Sequence, residues 1–149
     1  MFYLGTTRFS NKTYGENQKY CKENEIEGCI YGLPVKIAQK IKRGALVIVI
    51  DMNIETKKII GIGRIVNFVH RDKKYRIYTE WGYNRYIYKG RQYYKIENIK
   101  DKESIEILEN KLFKGKGHMC RGQGITCLNP EKLDKNKKKI ITFIKDLFG

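Results

Sequence analysis

The feature that most restricts this chain is the run Ala45-Leu-Val-Ile-Val-Ile50. An unbroken apolar run of this length, bounded by turn residues, reads as a central strand rather than a half-exposed one. A polar turn at residues 51–56 follows, and Lys58-Ile-Ile-Gly-Ile-Gly-Arg-Ile-Val66 brings the chain back as the partner strand of a hairpin. The rest of the chain is read as what packs around that hairpin.

Residues 1–9 predict a first strand, and the polar stretch 10–28 predicts a loop with at most a short helix. Pro34 suits a first helical turn, Val35, Ile37, Ala38 and Ile41 follow at helical spacing, and Gly44 can end the helix. Beyond the hairpin, strands are expected at 75–80, 85–88 and 91–96. Asp101 can cap a helix over 102–113 with Ile105, Leu108 and Leu112 on one face. Residues 114–129 predict a glycine-rich loop. Asn129-Pro130 opens a last, amphipathic helix with Leu133, Ile140, Phe143, Ile144 and Leu147 on one face and Lys135, Lys138, Lys139 and Lys145 opposite. No repeat or linker interrupts the chain. The expected fold is a single α+β domain over 1–149, with a small curved antiparallel or mixed sheet or barrel and flanking helices.

Charge narrows the partner class. Thirty-one Lys and Arg against sixteen Asp and Glu give a net +15, an excess that attracts polyanions. Nucleic acid leads, ahead of anionic membranes and acidic proteins. The absence of a long apolar run or a leader-like start predicts an intracellular, cytoplasmic protein that does not enter a membrane. In that compartment Cys21, Cys29, Cys120 and Cys127 are expected as free thiols. The heavy use of Lys, Ile, Asn and Tyr suits an AT-rich genome, such as that of a large DNA virus or an AT-rich microbe.

The stretch from Ile41-Lys-Arg-Gly44 through Ile50, with Ile59-Ile-Gly61-Ile-Gly63-Arg-Ile-Val66, resembles the centre of the PUA-like superfamily, and is most similar to its EVE and ASCH branches. The resemblance covers residues 29–67. Ala45 stands where that family usually has Asp, and the chain beyond residue 97 has no counterpart in it. The resemblance implies RNA or DNA binding, in some branches of a modified or flipped base in an aromatic-lined pocket. The segments 28–34 and 112–126 also resemble uncharacterised proteins of giant DNA viruses, which implies no activity.

Two constellations carry the binding expectation. In Lys114-Gly-Lys-Gly-His-Met-Cys-Arg-Gly-Gln-Gly124, the glycines free backbone N–H groups to form an anion nest, to which Lys114, Lys116, His118, Arg121 and Gln123 add cationic and polar side chains. It lacks the P-loop pattern and follows a helix. Residues 75–95 interleave aromatic and cationic side chains. Aromatic faces stack on unpaired bases while Arg and Lys track phosphates, which nominates Trp81, Tyr83, Arg85, Tyr86 and Arg91, with Trp81 foremost.

The spacing His118-x-Cys120-x6-Cys127 is not that of a zinc site, and no metal or cofactor is expected. Gly61-Ile-Gly63 lacks the third glycine of a dinucleotide fingerprint and reads as a bulge or a close packing point in a curved sheet. His70 and His118 have no triad or paired-carboxylate context, so catalysis is not expected. The reading is a nucleic-acid-binding domain for RNA or DNA, single-stranded or carrying a modified base. Its rivals are a basic structural or virion assembly protein facing an acidic partner or packaged DNA, and an enzyme acting on nucleic acid.

Overall fold

The computed structural model describes residues 2–114 and 122–149. Those residues form β1 (Tyr3–Phe9), α1 (Asn11–Glu23), β2 (Cys29–Leu33), β3 (Leu46–Asn53), β4 (Lys58–Val66), β5 (Tyr86–Gly90), β6 (Gln92–Lys95), α2 (Lys102–Phe113), β7 (Thr126–Cys127) and α3 (Lys137–Phe148). The fold is α+β. An open five-stranded sheet has the order β6-β4-β3-β1-β7, and β2 pairs with β5 in a separate two-stranded ribbon. The five-stranded sheet is mixed: β1 runs parallel to β3, with Tyr3 opposite Val47 and Phe9 opposite Asn53, and its other pairings are antiparallel.

The apolar run sits at the centre of this sheet, and its side chains serve two cores in alternation. Ile48, Ile50 and Met52 pack with Ile105, Leu108, Leu112, Ile140 and Ile144 beneath α2 and α3. Val47 and Val49 face the other way, toward Ile30, Tyr31, Ile87 and Tyr88 of the ribbon. The sheet therefore has a helical face and a ribbon face, and β3 is buried on both. The β3–β4 register slips between Asp51 and Met52: Gly61 pairs with Asp51 and Ile59 with Met52, so Ile60 is the extra residue of a bulge.

Four local expectations are corrected. The polar stretch after β1 is a full helix, α1, because Ser10 and Thr13 close a reciprocal capping box. This helix buries only Asn17, whose amide donates to the Ile30 carbonyl at 2.8 Å and to the Tyr78 hydroxyl at 3.0 Å. Residues 34–44 form no helix. Long-range partners hold them in turns instead: the Ile37 N–H donates to the Tyr88 hydroxyl, and the Asn67 amide donates to the carbonyls of Ile41 and Lys42.

Residues 75–80 form no strand either. Asn84 takes the place of a neighbouring strand, accepting from the N–H groups of Ile77 and Tyr78 and donating to the Tyr78 carbonyl. The last helix starts at Lys137 rather than at Pro130. The preceding turns, Pro130–Asn136, are broken at Asp134, whose φ of 52° is outside the helical range. Helix α2 spans the expected residues, with Asp101 accepting from the Ser104 N–H at 3.0 Å.

Candidate nucleic-acid interface

On the ribbon face, α1 lies across the chain from the irregular segment 70–80, and between them runs an open groove of about 1000 Å³. Its floor is set by buried rings. Tyr78 is fixed by the Asn17 bond, and the Tyr75 hydroxyl donates to Asp72 at 2.6 Å. Burial and that contact push the Tyr75 phenol up to about 12. One wall is tied to the other by Glu16, which accepts from both the backbone and the hydroxyl of Thr79.

The groove is lined by six cations (Lys19, Arg71, Lys73, Lys74, Arg76 and Arg85) against two carboxylates, Glu16 and Glu23. Glu16 is held against the wall by its bonds from Thr79, which favour its charged form, and the cations outnumber the carboxylates three to one. His70 also lines the groove, and burial together with nearby Lys89 lowers its pKa, favouring the neutral ring at pH 7.

Several aromatic faces here carry cations. Lys73 and Lys89 sit 5.2 and 4.7 Å from the Tyr75 ring centre, and Lys36 and Arg85 lie 5.6 and 5.4 Å from that of Tyr86. Trp81 differs. It stands on the short 3-10 turn Trp81–Asn84 at the lip of the groove, 73 % exposed. A bare indole of this kind is a stacking platform.

A smaller cavity of about 180 Å³ adjoins the groove, with Tyr78 lining both. It is formed where β1 runs into α1 and where β2 ends, and it is walled by Phe9, Tyr31 and Tyr83. Tyr83 meets Tyr78 edge to face, with ring centres 6.2 Å apart. Gly122, Gln123 and Gly124 close it from the C-terminal part of the glycine-rich loop. Gly122 and Gly124 have φ of +110° and +71°, a backbone that side chains other than glycine adopt at a cost.

The sequence-derived residues are thus partly gathered. Trp81, Arg85 and Tyr86 line the groove, while Tyr83 and Gln123 line the adjoining cavity. Arg91 lies in the β5–β6 turn, away from both. Lys114 ends α2 on the helical face. Lys116, His118 and Arg121 lie outside the described residues, as does Cys120 of the zinc spacing. Lys19 and Tyr20 are absent from that set because α1 is mostly polar: Tyr14, Tyr20 and Cys21 pack against the ribbon-face core, but the helix's one fully buried position is Asn17. Among the described residues, no group of three His, Cys, Asp or Glu is placed to hold a metal ion. No helix among them is long and apolar enough to cross a membrane.

No protein-family model, curated protein or solved structure matches this chain.

Proposed function

We propose that the protein binds single-stranded nucleic acid, RNA or DNA, along the groove between α1 and residues 70–87, as a PUA-like domain would. The observation that carries this reading is the exposed Trp81 ring at the lip of a groove lined by six cations. The cations hold successive phosphates and the indole stacks on a base. The adjoining cavity behind Tyr83 is aromatic and narrow, which suits one base turned out of the strand. The arrangement favours unpaired strands because a duplex hides its base faces from such a ring.

Trp81 is the sole tryptophan, so its fluorescence reports on the site without labelling. Titration with oligouridylate or oligothymidylate at low salt is expected to quench it, and duplexes of equal length are expected to quench it less. Trp81→Ala should weaken single-strand binding by about 1–3 kcal/mol, measured by anisotropy of a labelled oligonucleotide. Undisturbed fluorescence at low salt with every polymer would exclude stacking at this site.

A further inference from the structure

Behind α1 lies another cavity, of about 400 Å³, that the groove does not use. At its floor is Asp51 of β3, 3 % exposed. The Tyr31 hydroxyl donates to its carboxylate at 2.8 Å. The Tyr93 hydroxyl approaches the same carboxyl, fully enclosed, without completing a regular hydrogen bond to any described group.

The sheet is thinned to admit these rings. A side chain at Gly63 would place its Cβ 2.6 Å from the Tyr31 hydroxyl and 2.8 Å from the Cys29 sulfur, and one at Gly61 would run into the Tyr93 hydroxyl. The bulge of β4 falls beside the same aspartate. The glycine pair and the irregularity thus serve one cluster of polar groups.

A buried carboxyl without an ionic partner is held toward its neutral form, and a pair of N–H donors would stabilise its charged form. Among the described residues no Lys or Arg lies within ion-pair range of Asp51. The lining combines Ile26, Ile30 and the rings of Tyr31 and Tyr93 with the amides of Asn17 and Gln18, and the exposed Lys22 and Lys95 complete it. The volume falls in the range of small-ligand pockets, roughly 300–1,000 Å³.

We propose that this cavity binds a small molecule whose planar head group presents two adjacent N–H donors to Asp51, and whose anionic end meets Lys22 and Lys95. Two parallel N–H donors satisfy both oxygens of a carboxylate at once, which a single ammonium cannot do with the same geometry. The Tyr31 and Tyr93 rings in the lining favour a planar head, and the lysines favour an anionic tail. The edge of guanine in a nucleotide and the guanidinium of free arginine share this chemistry.

The test is calorimetric titration of the full-length protein with guanosine monophosphate and with L-arginine, using adenosine monophosphate and L-lysine as controls that lack the planar donor pair. At least one of the first two is expected to bind, with its matched control about tenfold weaker or more, and the one that binds identifies the source of the head group. Asp51→Asn should weaken binding by about tenfold or more, through loss of the charged acceptor. Tyr93→Phe removes only the enclosed hydroxyl, should weaken binding by about two- to tenfold, and keeps the test valid if the Asp51 variant does not fold. Trp81→Ala should leave this binding unchanged, which separates it from the groove. The proposal is overturned if neither probe binds, if the controls bind equally, or if a folded Asp51 or Tyr93 variant binds as the parent does.

Discussion

The two faces of the central sheet are built from the same strands but to different ends. The cluster under α2 and α3 is made of Leu, Ile, Met and Phe and contains no buried tyrosine. The cluster on the ribbon face buries four tyrosines, Tyr31, Tyr75, Tyr78 and Tyr88, beside Asn17 and Asp51. The groove and both smaller cavities described above open on the ribbon side. The contrast separates stability from recognition. A dry aliphatic layer holds the sheet, and this allows the opposite layer to keep polar groups and unfilled space that weaken its packing.

The largest effect expected from this division is on the helical face. Leu108 is fully buried there, and Leu108→Ala should cost about 2–5 kcal/mol in urea unfolding while leaving nucleic-acid affinity of the folded fraction intact. A loss of affinity without loss of stability would break the division.

On the ribbon face, burial pushes Asp51 up to about 7, against the opposing Tyr31 hydrogen bond and the nearby Tyr93 hydroxyl. An unfolded aspartate titrates near about 3.9. Between those values the folded protein holds a proton that the unfolded chain has released, so stability should fall as pH rises from about 4 to 7 and level off above. At about 1.4 kcal/mol per unit the span is at most about 4 kcal/mol. Asp51→Asn should flatten that slope in unfolding measured from pH 4.5 to 8, and the variant should be the more stable protein at pH 8. A variant retaining the full slope would assign the pH dependence elsewhere.

A smaller change is expected from filling the thinned sheet. Gly63→Ala should cost about 1–3 kcal/mol by overpacking Tyr31 and Cys29. It should shift the Tyr31 ring resonances in an NMR spectrum. The smallest effect sharpens the comparison in binding itself. Arg76→Ala, in the groove, should lower the salt dependence of single-strand binding by about one phosphate contact, and Lys138→Ala, on the exposed side of α3, should not. Equal changes would mean that the basic charge acts diffusely over both faces.

What the residues disclosed in advance follows the same divide. The β3–β4 hairpin and α2 were legible because their partners are local or their apolar spacing is strict. Asp101 also caps α2 at its expected start. The ribbon face was not, because its conformation is held by side chains distant in sequence. Val35, Ile37 and Ile41 have helical spacing, yet their segment is fixed by Tyr88 and Asn67. Residues 75–80 have strand composition, yet Asn84 occupies the edge where a strand would pair.

The stacking candidates Trp81, Arg85 and Tyr86 were visible as an aromatic and cationic mixture, and they do line one groove. That Lys19 and Tyr20 face them depends on α1, whose core-facing positions Tyr14, Asn17 and Cys21 are only weakly apolar and do not stand out from its polar sequence. Gly61-Ile-Gly63 reads as a bulge or a close packing point and both occur there, but nothing local indicates that Tyr31 and Tyr93, from two other strands, are what pack against the glycines.

The parallel pairing of β1 with β3 has a consequence for how the chain reaches this state. Neighbouring parallel strands cannot be joined by a tight turn, so α1, β2 and the segment to residue 45 intervene between them. The β3–β4 hairpin needs only its own turn and can close in about 1–10 μs. Joining β1 to the β3 edge closes a much longer loop, at a larger entropic cost, and β7 pairs only with β1, with Gly5 opposite Cys127. Loop-closure entropy thus favours assembly of the sheet outward from the hairpin, with β1 among the last strands to be seated although it precedes the hairpin in the chain.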